Sequence, residues 1–242
     1  MLNFDPEKEY NRIIKFIRDY FDAQPSAKGA VLGISGGKDS TIVAKLLVDA
    51  LGKDRVRGVL MPNWTQKDFK DSIDICNLLE IEYNTINVGP IYNEFVRSYS
   101  SFSEQAIINI APRIRMTVLY AISATLHYRV CGTGNFSEKF VGYTTKFGDN
   151  ACDFNPIAHL TCREVIRLGE FMGLPSELIH KAPSDGLTGL TDEDNLGVSY
   201  DKIDDYIDLG SSGCMITDEY IQELHAKSIH KTKMPIVLKR EN

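Results

Sequence analysis

The stretch VLGISGGKDS, residues 31–40, places a short apolar run directly before two glycines, a lysine, an aspartate and a serine. The run from Val31 to Ile34 is too short for a helix and predicts a buried strand of a parallel sheet. From Asp39 onward the apolar side chains follow a helical period, at positions 42, 43, 46, 47, 50 and 51. A strand, a glycine turn and a helix in this order leave backbone N–H groups and the positive end of a helix dipole beside the turn. The turn is therefore suited to bind an anion such as a phosphate.

Strand and helix patterns alternate along the rest of the chain. Strands are predicted at 30–34, 55–62, 83–88 and 128–135. Helices are predicted from Pro6 to before Pro25 and at 38–51, 68–80, 101–128, 161–172, 176–181, 199–208 and 217–230, with an interruption near Pro112. Asp5 is the predicted N-cap of the first helix, and the spacing of Thr161 and Glu164 predicts a capping box at the start of the helix at 161–172. The alternation predicts an α/β fold with a doubly wound, mostly parallel sheet and helices on both faces. In such sheets ligands bind beyond the carboxyl ends of the strands, where the turns at 31–40 and 131–138 both fall.

The composition fits one globular domain in a reducing compartment. The 242 residues are 43% hydrophobic, which is enough for a sizeable core, and no repeat or linker divides residues 1–242. A formal net charge of −6 argues against a broad nucleic-acid surface. The five cysteines are scattered and contain no C-x-x-C pair, so neither a zinc site, an iron–sulfur cluster nor a disulfide framework is predicted. No signal peptide or membrane-spanning stretch is apparent, and we expect a cytoplasmic protein without membrane or nucleic-acid partners.

The glycine turn matches neither of two common phosphate-binding signatures. Gly-x-x-x-x-Gly-Lys-Ser/Thr and Gly-x-Gly-x-x-Gly are both absent from it. An ordinary loop whose glycines only make the turn is one interpretation. The other is that Ser-Gly-Gly-x-Asp-Ser after a strand resembles the pyrophosphate loop of the N-type ATP pyrophosphatases, which cleave ATP to AMP and pyrophosphate. That resemblance implies an ATP site at Gly33, Ile34, Ser35, Gly36, Gly37, Lys38, Asp39 and Ser40, with Asp39 also reaching Mg²⁺.

Four further stretches resemble one enzyme family, the ammonia-dependent NAD synthetases. They are NIAPRIRM (109–116), GTGNFSEKFVGYTTKFGDNACDFNPIAHLT (132–161), KAPSDGLTGLTDEDNLGVSYDKIDDY (181–206) and HKTKMP (230–235). The resemblance runs from about residue 8 to the C-terminus and implies an adenine nucleotide alpha hydrolase-like, Rossmann-like fold. It implies the last step of NAD biosynthesis: ATP-dependent amidation of deamido-NAD by ammonia to NAD⁺, AMP and pyrophosphate, through an acyl adenylate. It also implies a homodimer. Since the resemblance leaves no second fold for a glutaminase, we expect the nitrogen to come from free ammonia or a separate partner.

The same resemblance implies the other site residues. ATP is implied to contact Thr133, Cys162 and Ser184, and Mg²⁺ to be held by Asp39 and Glu138. Deamido-NAD, which carries a carboxylate and a pyrophosphate, is implied to contact Arg113, Lys146, Asp153, His230 and Lys231. Asp39 and Glu138 are thereby the main catalytic residues, and Asp149 is a candidate base for deprotonating ammonium.

Without the resemblance, these residues have plainer interpretations. Glu138 suits a solvated surface charge or the start of a helix, and Arg113 suits an exposed charge on a helix. The polar segment 184–197, which the resemblance favours as a mobile lid, is otherwise an ordinary surface loop.

Two positions depart from the family pattern. Cys162 stands where the family usually has a lysine that contacts an ATP phosphate, and Pro112 interrupts a segment that usually reads N-I-x-A-R. A thiol with an ordinary pKa is mostly protonated at neutral pH and cannot supply the charge of a lysine. We expect a neighbouring cation, either Arg163 or Lys38, to take over the phosphate contact.

Two other functions are compatible with the glycine turn. Other N-type ATP pyrophosphatases, including tRNA-modifying and amide-forming enzymes, share Ser-Gly-Gly-x-Asp-Ser. The acidic balance, the absence of paired cysteines and the stretch at 132–149 argue against them. A nucleotide-binding protein without turnover is favoured only by Cys162.

Overall fold

The computed structural model describes residues 4–64, 68–181, 191–238 and 240. Within these residues the strands are β1 (Gly29–Gly33), β2 (Val56–Leu60), β3 (Glu82–Thr85) and β4 (Tyr128–Val130). The α-helices are α1 (Pro6–Asp22), α2 (Lys38–Leu51), α3 (Phe69–Leu78), α4 (Gly89–Arg97), α5 (Glu104–Ile108), α6 (Ile110–Leu126), α7 (Phe136–Val141), α8 (Cys162–Phe171), α9 (Ser176–Ile179), α10 (Asp192–Leu196), α11 (Tyr200–Leu209) and α12 (Met215–Thr232). None of the helices in the described part of the chain is long and apolar enough to cross a membrane.

The four strands form one parallel sheet in the order β3-β2-β1-β4. Val31 of β1 lies opposite Arg57 of β2 on one side and Val130 of β4 on the other. The chain builds the sheet outward from β1 to β3 and then returns to add β4 on the far side of β1. The predicted doubly wound parallel sheet is confirmed. The strand order reverses between β1 and β4, which is where open α/β sheets bind ligands.

Apolar side chains of the strands alternate between two layers of helices. Leu32 belongs to a large buried cluster with side chains of α1, α2, α3 and α8. Its neighbour Val31 belongs to a second cluster, on the opposite face, with side chains of α6. A third cluster, which includes Cys162 and Tyr200, joins α7, α8, α11 and α12 beyond the sheet. Because β1 is covered by helices on both faces, its sequence is a continuous apolar run rather than an alternating one.

Several helix starts are as predicted. The helix at 38–51 has the same bounds in the structure as in the prediction. Asp5 caps α1, with its side chain accepting a hydrogen bond from the N–H of Lys8 at 3.1 Å. The capping box of Thr161 and Glu164 starts α8, with both reciprocal hydrogen bonds formed. These starts were predictable because each is encoded within four residues of sequence.

Other elements differ from the prediction. Helices α4, α7 and α10 were not predicted. The segment 128–135 was predicted to be a strand ending in a glycine turn, and its strand spans only Tyr128–Val130. The helical stretch at 101–128 is divided at Asn109 instead of at Pro112. Pro112 lies in the first turn of α6, where a backbone N–H has no intrahelical partner to lose. The departure at Pro112 therefore leaves α6 helical.

Candidate active site

The turn between β1 and α2 requires a glycine at residue 36. Gly36 has a φ of +84°, and a Cβ atom there would lie 2.6 Å from the carbonyl oxygen of Asp68. The next residue, Gly37, is the N-cap of α2 and offers no side chain to cap the helix. Because Gly37 has no side chain, it cannot cap the first N–H groups of α2. Uncapped N–H groups at the start of a helix are suited to bind a phosphate.

Ser35 and Ser40 hold this turn together. Their Oγ atoms are 3.0 Å apart. The Ser35 Oγ accepts a hydrogen bond from the N–H of Gly37 at 3.2 Å, and the Ser40 Oγ donates to the Gly37 carbonyl at 3.1 Å. The two hydroxyls implied to bind phosphate thus lie side by side at the start of α2.

The preceding residues fix the turn to the sheet. Gly33 is the last residue of β1, and the N–H of buried Ile34 donates to the carbonyl of Val59 in β2 at 3.0 Å. Thr133 lies in the turn after β4, between two glycines. Both turns emerge at the carboxyl edge of the sheet, on the neighbouring strands β1 and β4.

Asn135 joins the two carboxylates that were predicted to hold Mg²⁺. Its Nδ2 donates to Asp39 Oδ1 at 3.1 Å, and its backbone N–H donates to Glu138 Oε2 at 2.9 Å. The Asn135 side chain also accepts from the N–H of Glu138 at 3.0 Å, which completes the capping box of α7. Glu138 is therefore a helix-start residue and a neighbour of Asp39 at the same time. Asn135 was not among the predicted site residues, although Asn135 and Glu138 have the same spacing as the capping box of Thr161 and Glu164 at the start of α8.

A buried lysine lies between these acids. The Lys38 side chain is only 4% exposed, and its Nζ lies 2.8 Å from Asp39 Oδ2. Burial disfavours the charge on Lys38, but Asp39 and Glu138 more than offset this and raise its pKa. Burial, reinforced by the charge of Asp39, raises the pKa of Glu138 well above its ordinary value. The site thus contains two close carboxyl groups and one internal cation.

The donor set fits Mg²⁺ that is shared between protein and nucleotide. Among the residues that the structure describes, no three His, Cys, Asp or Glu side chains form a complete metal site. Mg²⁺ in nucleotide enzymes is usually held by one or two carboxylates, with phosphate oxygens and waters completing the octahedron. Asp39 and Glu138 supply that number of carboxylates. A carboxyl group whose pKa is raised by burial and a neighbouring acid gains most from an added cation.

Tyr200 and Cys162 are also neighbours of the Lys38 ammonium. The Lys38 Nζ lies 5.8 Å from the centroid of the Tyr200 ring. The Tyr200 hydroxyl is buried and has no hydrogen-bond partner within the described ranges. Burial raises the pKa of Cys162 to about 12, so its thiol is uncharged at neutral pH. Tyr200 was also missed in the sequence, where nothing local distinguishes it from other aromatic residues at a helix start.

Protein groups already satisfy the N-terminus of α8. The N–H of Cys162 donates to Ser137 Oγ at 2.9 Å, and the N–H of Arg163 donates to Asp204 Oδ2 at 2.8 Å. Ser137 itself donates to the other oxygen of Asp204. The start of α8 is therefore tied to α7 and α11, so it is not an open phosphate site of the kind that α2 presents.

Arg163 points toward α11. Its Nη2 donates to Asp205 Oδ1 at 2.9 Å and lies 3.5 Å from Asp201 Oδ1. Lys38, by contrast, lies in the glycine turn and is close enough to Cys162 for each to influence the other's ionisation. Of the two cations expected to replace a lysine at position 162, Lys38 is the one placed to do so.

Four residues predicted to bind deamido-NAD meet in a second cluster. The Arg113 Nε donates to the Lys146 carbonyl at 3.3 Å, and the Lys146 Nζ donates to the His230 carbonyl at 2.8 Å. The Lys231 Nζ donates to two carbonyl oxygens of the loop after α7, at 2.7 and 3.0 Å. The start of α6, this loop and the end of α12 therefore bring together residues that are more than a hundred positions apart in sequence.

Asp149 lies in the loop after α7, whereas Asp153 lies beside β4. Asp149 organises the loop after α7, since its Oδ1 accepts from the N–H of Thr145 at 2.7 Å and its Oδ2 accepts from the Thr144 hydroxyl at 2.9 Å. Its role as a base stays a prediction. Asp153 lies beside β4, where its Oδ2 accepts from the N–H of Val130 at 2.7 Å.

Ser184 lies outside the described residues, as do the other positions from 182 to 190. The remainder of the segment predicted as a loop at 184–197 contains α10, whose N-cap Thr191 forms a capping box with Asp194. A simple surface loop is thus the wrong description of residues 192–196.

Comparisons with known proteins show to which family the chain is similar. A family model described as NAD synthase matches residues 9–240. A relative from Thermococcus sibiricus, named NH(3)-dependent NAD(+) synthetase, is 38% identical over 251 residues, covering 98% of both chains. The structure is similar to that of NMN synthetase from Francisella tularensis, with a TM-score of 0.91, 35% identity, and coverage of 98% of this chain and 100% of that one. It is also similar to NH3-dependent NAD synthetase from Campylobacter jejuni, solved with a nitrate ion, with a TM-score of 0.82, 30% identity and coverage of 98% and 100%.

The family match extends across both clusters of site residues and almost the whole sequence. The resemblance inferred from the sequence motifs is confirmed, and the chain belongs to the NAD synthase family.

Proposed function

We propose that this protein is an ATP-dependent ligase that converts deamido-NAD and ammonia to NAD⁺, with release of AMP and pyrophosphate. The observation that carries the proposal is the contact between the Ser-Gly-Gly turn after β1 and the Asn135–Glu138 segment after β4. This contact brings the proposed phosphate-binding turn and two carboxyl groups together at the edge of the sheet where the strand order reverses, between β1 and β4. Family membership and the names of the relatives support the same reaction.

The reaction requires activation of a poor acyl donor. An oxygen of the nicotinate carboxylate attacks the α-phosphorus of ATP, and the bond from that phosphorus to the β-phosphate oxygen breaks, so pyrophosphate leaves. The N–H groups at the start of α2, the two serine hydroxyls and Lys38 stabilise the charge that develops on the leaving oxygen. Mg²⁺ bound by Asp39 and Glu138 would neutralise further charge on the phosphates.

Ammonia completes the reaction. Its nitrogen attacks the acyl carbon, the bond from that carbon to the AMP oxygen breaks, and the nitrogen loses a proton as the amide forms. Asp149 is the candidate acceptor of the proton from ammonium, since it lies in the same loop as Lys146 and influences the ionisation of Lys231. Thr133 and Ser184 complete the proposed ATP contacts.

The second cluster is proposed to bind the dinucleotide. Deamido-NAD carries a carboxylate and a pyrophosphate, both of which charged donors recognise. Arg113, Lys146 and Lys231 supply such charges, with His230 beside them. Asp153 would contact a different part of the substrate, because it lies at β4.

A single assay tests the proposal. The purified chain, incubated with ATP, Mg²⁺, deamido-NAD and ammonium, should form NAD⁺, AMP and pyrophosphate in equal amounts. Glutamine in place of ammonium should give no product. Formation of AMP without NAD⁺, or no nucleotide turnover under any of these conditions, would contradict the proposed reaction.

The similarity to an NMN synthetase favours a second candidate, in which the substrate is the mononucleotide that carries the same nicotinate carboxyl group. The chemistry at the glycine turn is identical for both substrates, and only the contacts beyond the first ribose phosphate differ. Measurement of kcat/KM for deamido-NAD and for nicotinic acid mononucleotide in the same assay decides between them. A higher value for the dinucleotide is expected.

We also infer a cytoplasmic homodimer, as the family resemblance implies. Support for a second copy comes from exposed apolar side chains on and after α4. There Phe95 stacks on Phe102 and Tyr99 meets Phe102 edge to face. Light scattering on the purified chain should give the mass of two subunits, and a monomer at micromolar concentration would rule this out.

A further inference from the structure

Lys38 is in an unusual place for a lysine. It is the first residue of α2, where the helix dipole disfavours a positive charge, and its side chain is buried instead of extending into water. Such a position is stable only if anionic groups surround the ammonium. Asp39 meets this requirement directly, with its Oδ2 at 2.8 Å.

Two further neighbours of the ammonium, Tyr200 and Cys162, carry no negative charge at neutral pH. The Tyr200 ring lies 5.8 Å away and Cys162 is a neutral thiol. Glu138 is the second acid that acts on Lys38. Lys38 therefore shares its two acidic neighbours with the proposed Mg²⁺ site, and a metal ion that approaches Asp39 and Glu138 meets a cation already in contact with Asp39.

We propose that Lys38 is an internal counter-ion of the Asp39–Glu138 pair, which excludes divalent metal from the nucleotide-free protein and releases the pair when ATP phosphates bind the ammonium. This inference rests on the proposed metal role of Asp39 and Glu138. On this proposal, metal and nucleotide each bind more tightly when the other is present. The reason is that each of them favours movement of the Lys38 ammonium away from Asp39 and Glu138.

The mechanism follows from charge balance. An ammonium and a dication repel each other, and even at the screening of water a unit charge at roughly 5 Å changes the affinity for a dication about tenfold. A triphosphate offers the ammonium at least as many anionic oxygens as Asp39 does. Lys38 is itself the first residue of α2, so a triphosphate bound at the start of that helix would also lie close to the residue that carries the ammonium.

The experiment measures metal binding directly, with Mn²⁺ as the probe and electron paramagnetic resonance as the readout. Wild type is compared with Lys38→Met, which keeps the length and apolar stem of the side chain. Lys45→Met is the matched control, since Lys45 lies on the same helix and pairs with Asp49 at 2.5 Å. Lys38→Gln is a second variant in case the methionine prevents folding, and thermal unfolding checks all proteins.

Without nucleotide, Lys38→Met should bind Mn²⁺ at least about tenfold more tightly than wild type and Lys45→Met. In the presence of a non-hydrolysable ATP analogue, wild type should gain far more affinity for Mn²⁺ than Lys38→Met does. Equal Mn²⁺ affinity of wild type and both Lys38 variants without nucleotide would overturn the counter-ion role while leaving the metal assignment intact. If wild type does not bind Mn²⁺ even with the analogue, the metal assignment fails and this inference with it.

Discussion

The side-chain amide of Asn135 donates a hydrogen bond to Asp39 across 96 residues of sequence. This contact joins the turn after β1 to the turn after β4, and the same asparagine caps the helix that carries Glu138. One buried side chain thus performs a local and a long-range task, which substitutions can separate.

Asn135→Ser should keep the cap and lose the long contact, because serine is a good N-cap but is too short to reach Asp39. We expect its thermal midpoint to stay close to that of wild type while kcat/KM falls about tenfold, the loss of one charge-assisted hydrogen bond. Asn135→Ala should lose stability as well, by about 1 kcal/mol. Similar activity of Asn135→Ser and wild type would show that the contact with Asp39 is dispensable.

Asp39→Asn and Glu138→Gln each remove one proposed metal ligand with little change of shape. Activity should fall at least about a hundredfold in either variant, a few kcal/mol of transition-state stabilisation. Glu164→Gln is the control, because Glu164 has the same capping role at the start of α8. Near-normal turnover of Asp39→Asn or Glu138→Gln would show the magnesium assignment to be wrong.

Glu138 should make the ligand-free protein less stable as pH rises. Its pKa is higher in the folded protein than in the unfolded chain, so folding favours the protonated form. The penalty is absent below the unfolded pKa of about 4.3 and grows as the pH rises toward the folded value. Glu138→Gln keeps an acceptor for the N–H of Asn135 but has no charge. Its thermal midpoint should therefore exceed that of wild type by more at pH 8 than at pH 5, and a pH-independent difference would argue against this account.

Arg113→Ala and Lys146→Ala should weaken binding of deamido-NAD far more than binding of ATP. Loss of a charge-assisted hydrogen bond costs roughly 1.5–3 kcal/mol, or about ten- to a hundredfold in affinity. The KM values of the two substrates, measured separately for each variant, test this. Equal increases in both would indicate that the two side chains only hold the loop after α7 to α6 and α12.

Because Lys38 and Cys162 are neighbours, we expect a lysine at position 162 to replace part of the function of Lys38. Lys38→Leu should raise the KM for ATP about tenfold, and addition of Cys162→Lys should recover part of that loss. Cys162→Lys alone would place a second cation beside a buried ammonium and should lower the thermal midpoint. A double-mutant cycle on both readouts isolates the coupling. If Lys38→Leu uses ATP as well as wild type does, Lys38 has no phosphate contact to transfer.

Local signatures predicted some of this structure well. The apolar period of α2 predicted where this helix begins and ends. The capping box of Thr161 and Glu164 predicted the start of α8. Both signals lie within a short stretch of sequence. The helix α7 carries the same kind of signal in Asn135 and Glu138 but has only six residues, too few for an apolar period to reveal it.

The contacts between distant segments could not be predicted in the same way. The burial of Lys38 depends on Tyr200, which follows it by more than 160 positions and carries no motif. Nor does the sequence indicate that Asp204 and Ser137 bind the first N–H groups of α8, the arrangement on which we favour Lys38 over Arg163 as the proposed phosphate contact. Such outcomes depend on which helices pack together, and no spacing within one segment encodes that.

The strand order β3-β2-β1-β4 has a consequence for the nascent chain. The glycine turn belongs to the first half of the sequence, whereas its partner segment follows β4, the last strand of the sheet to be synthesised. Closing so long a loop is entropically costly, and the pairing of β4 with β1 must offset that cost before the two turns meet. A chain that has left the ribosome only as far as β3 therefore contains Asp39 but not Asn135, whose side chain binds it in the folded protein. The glycine turn and Glu138 come together only after β4 and the residues that follow it have been synthesised.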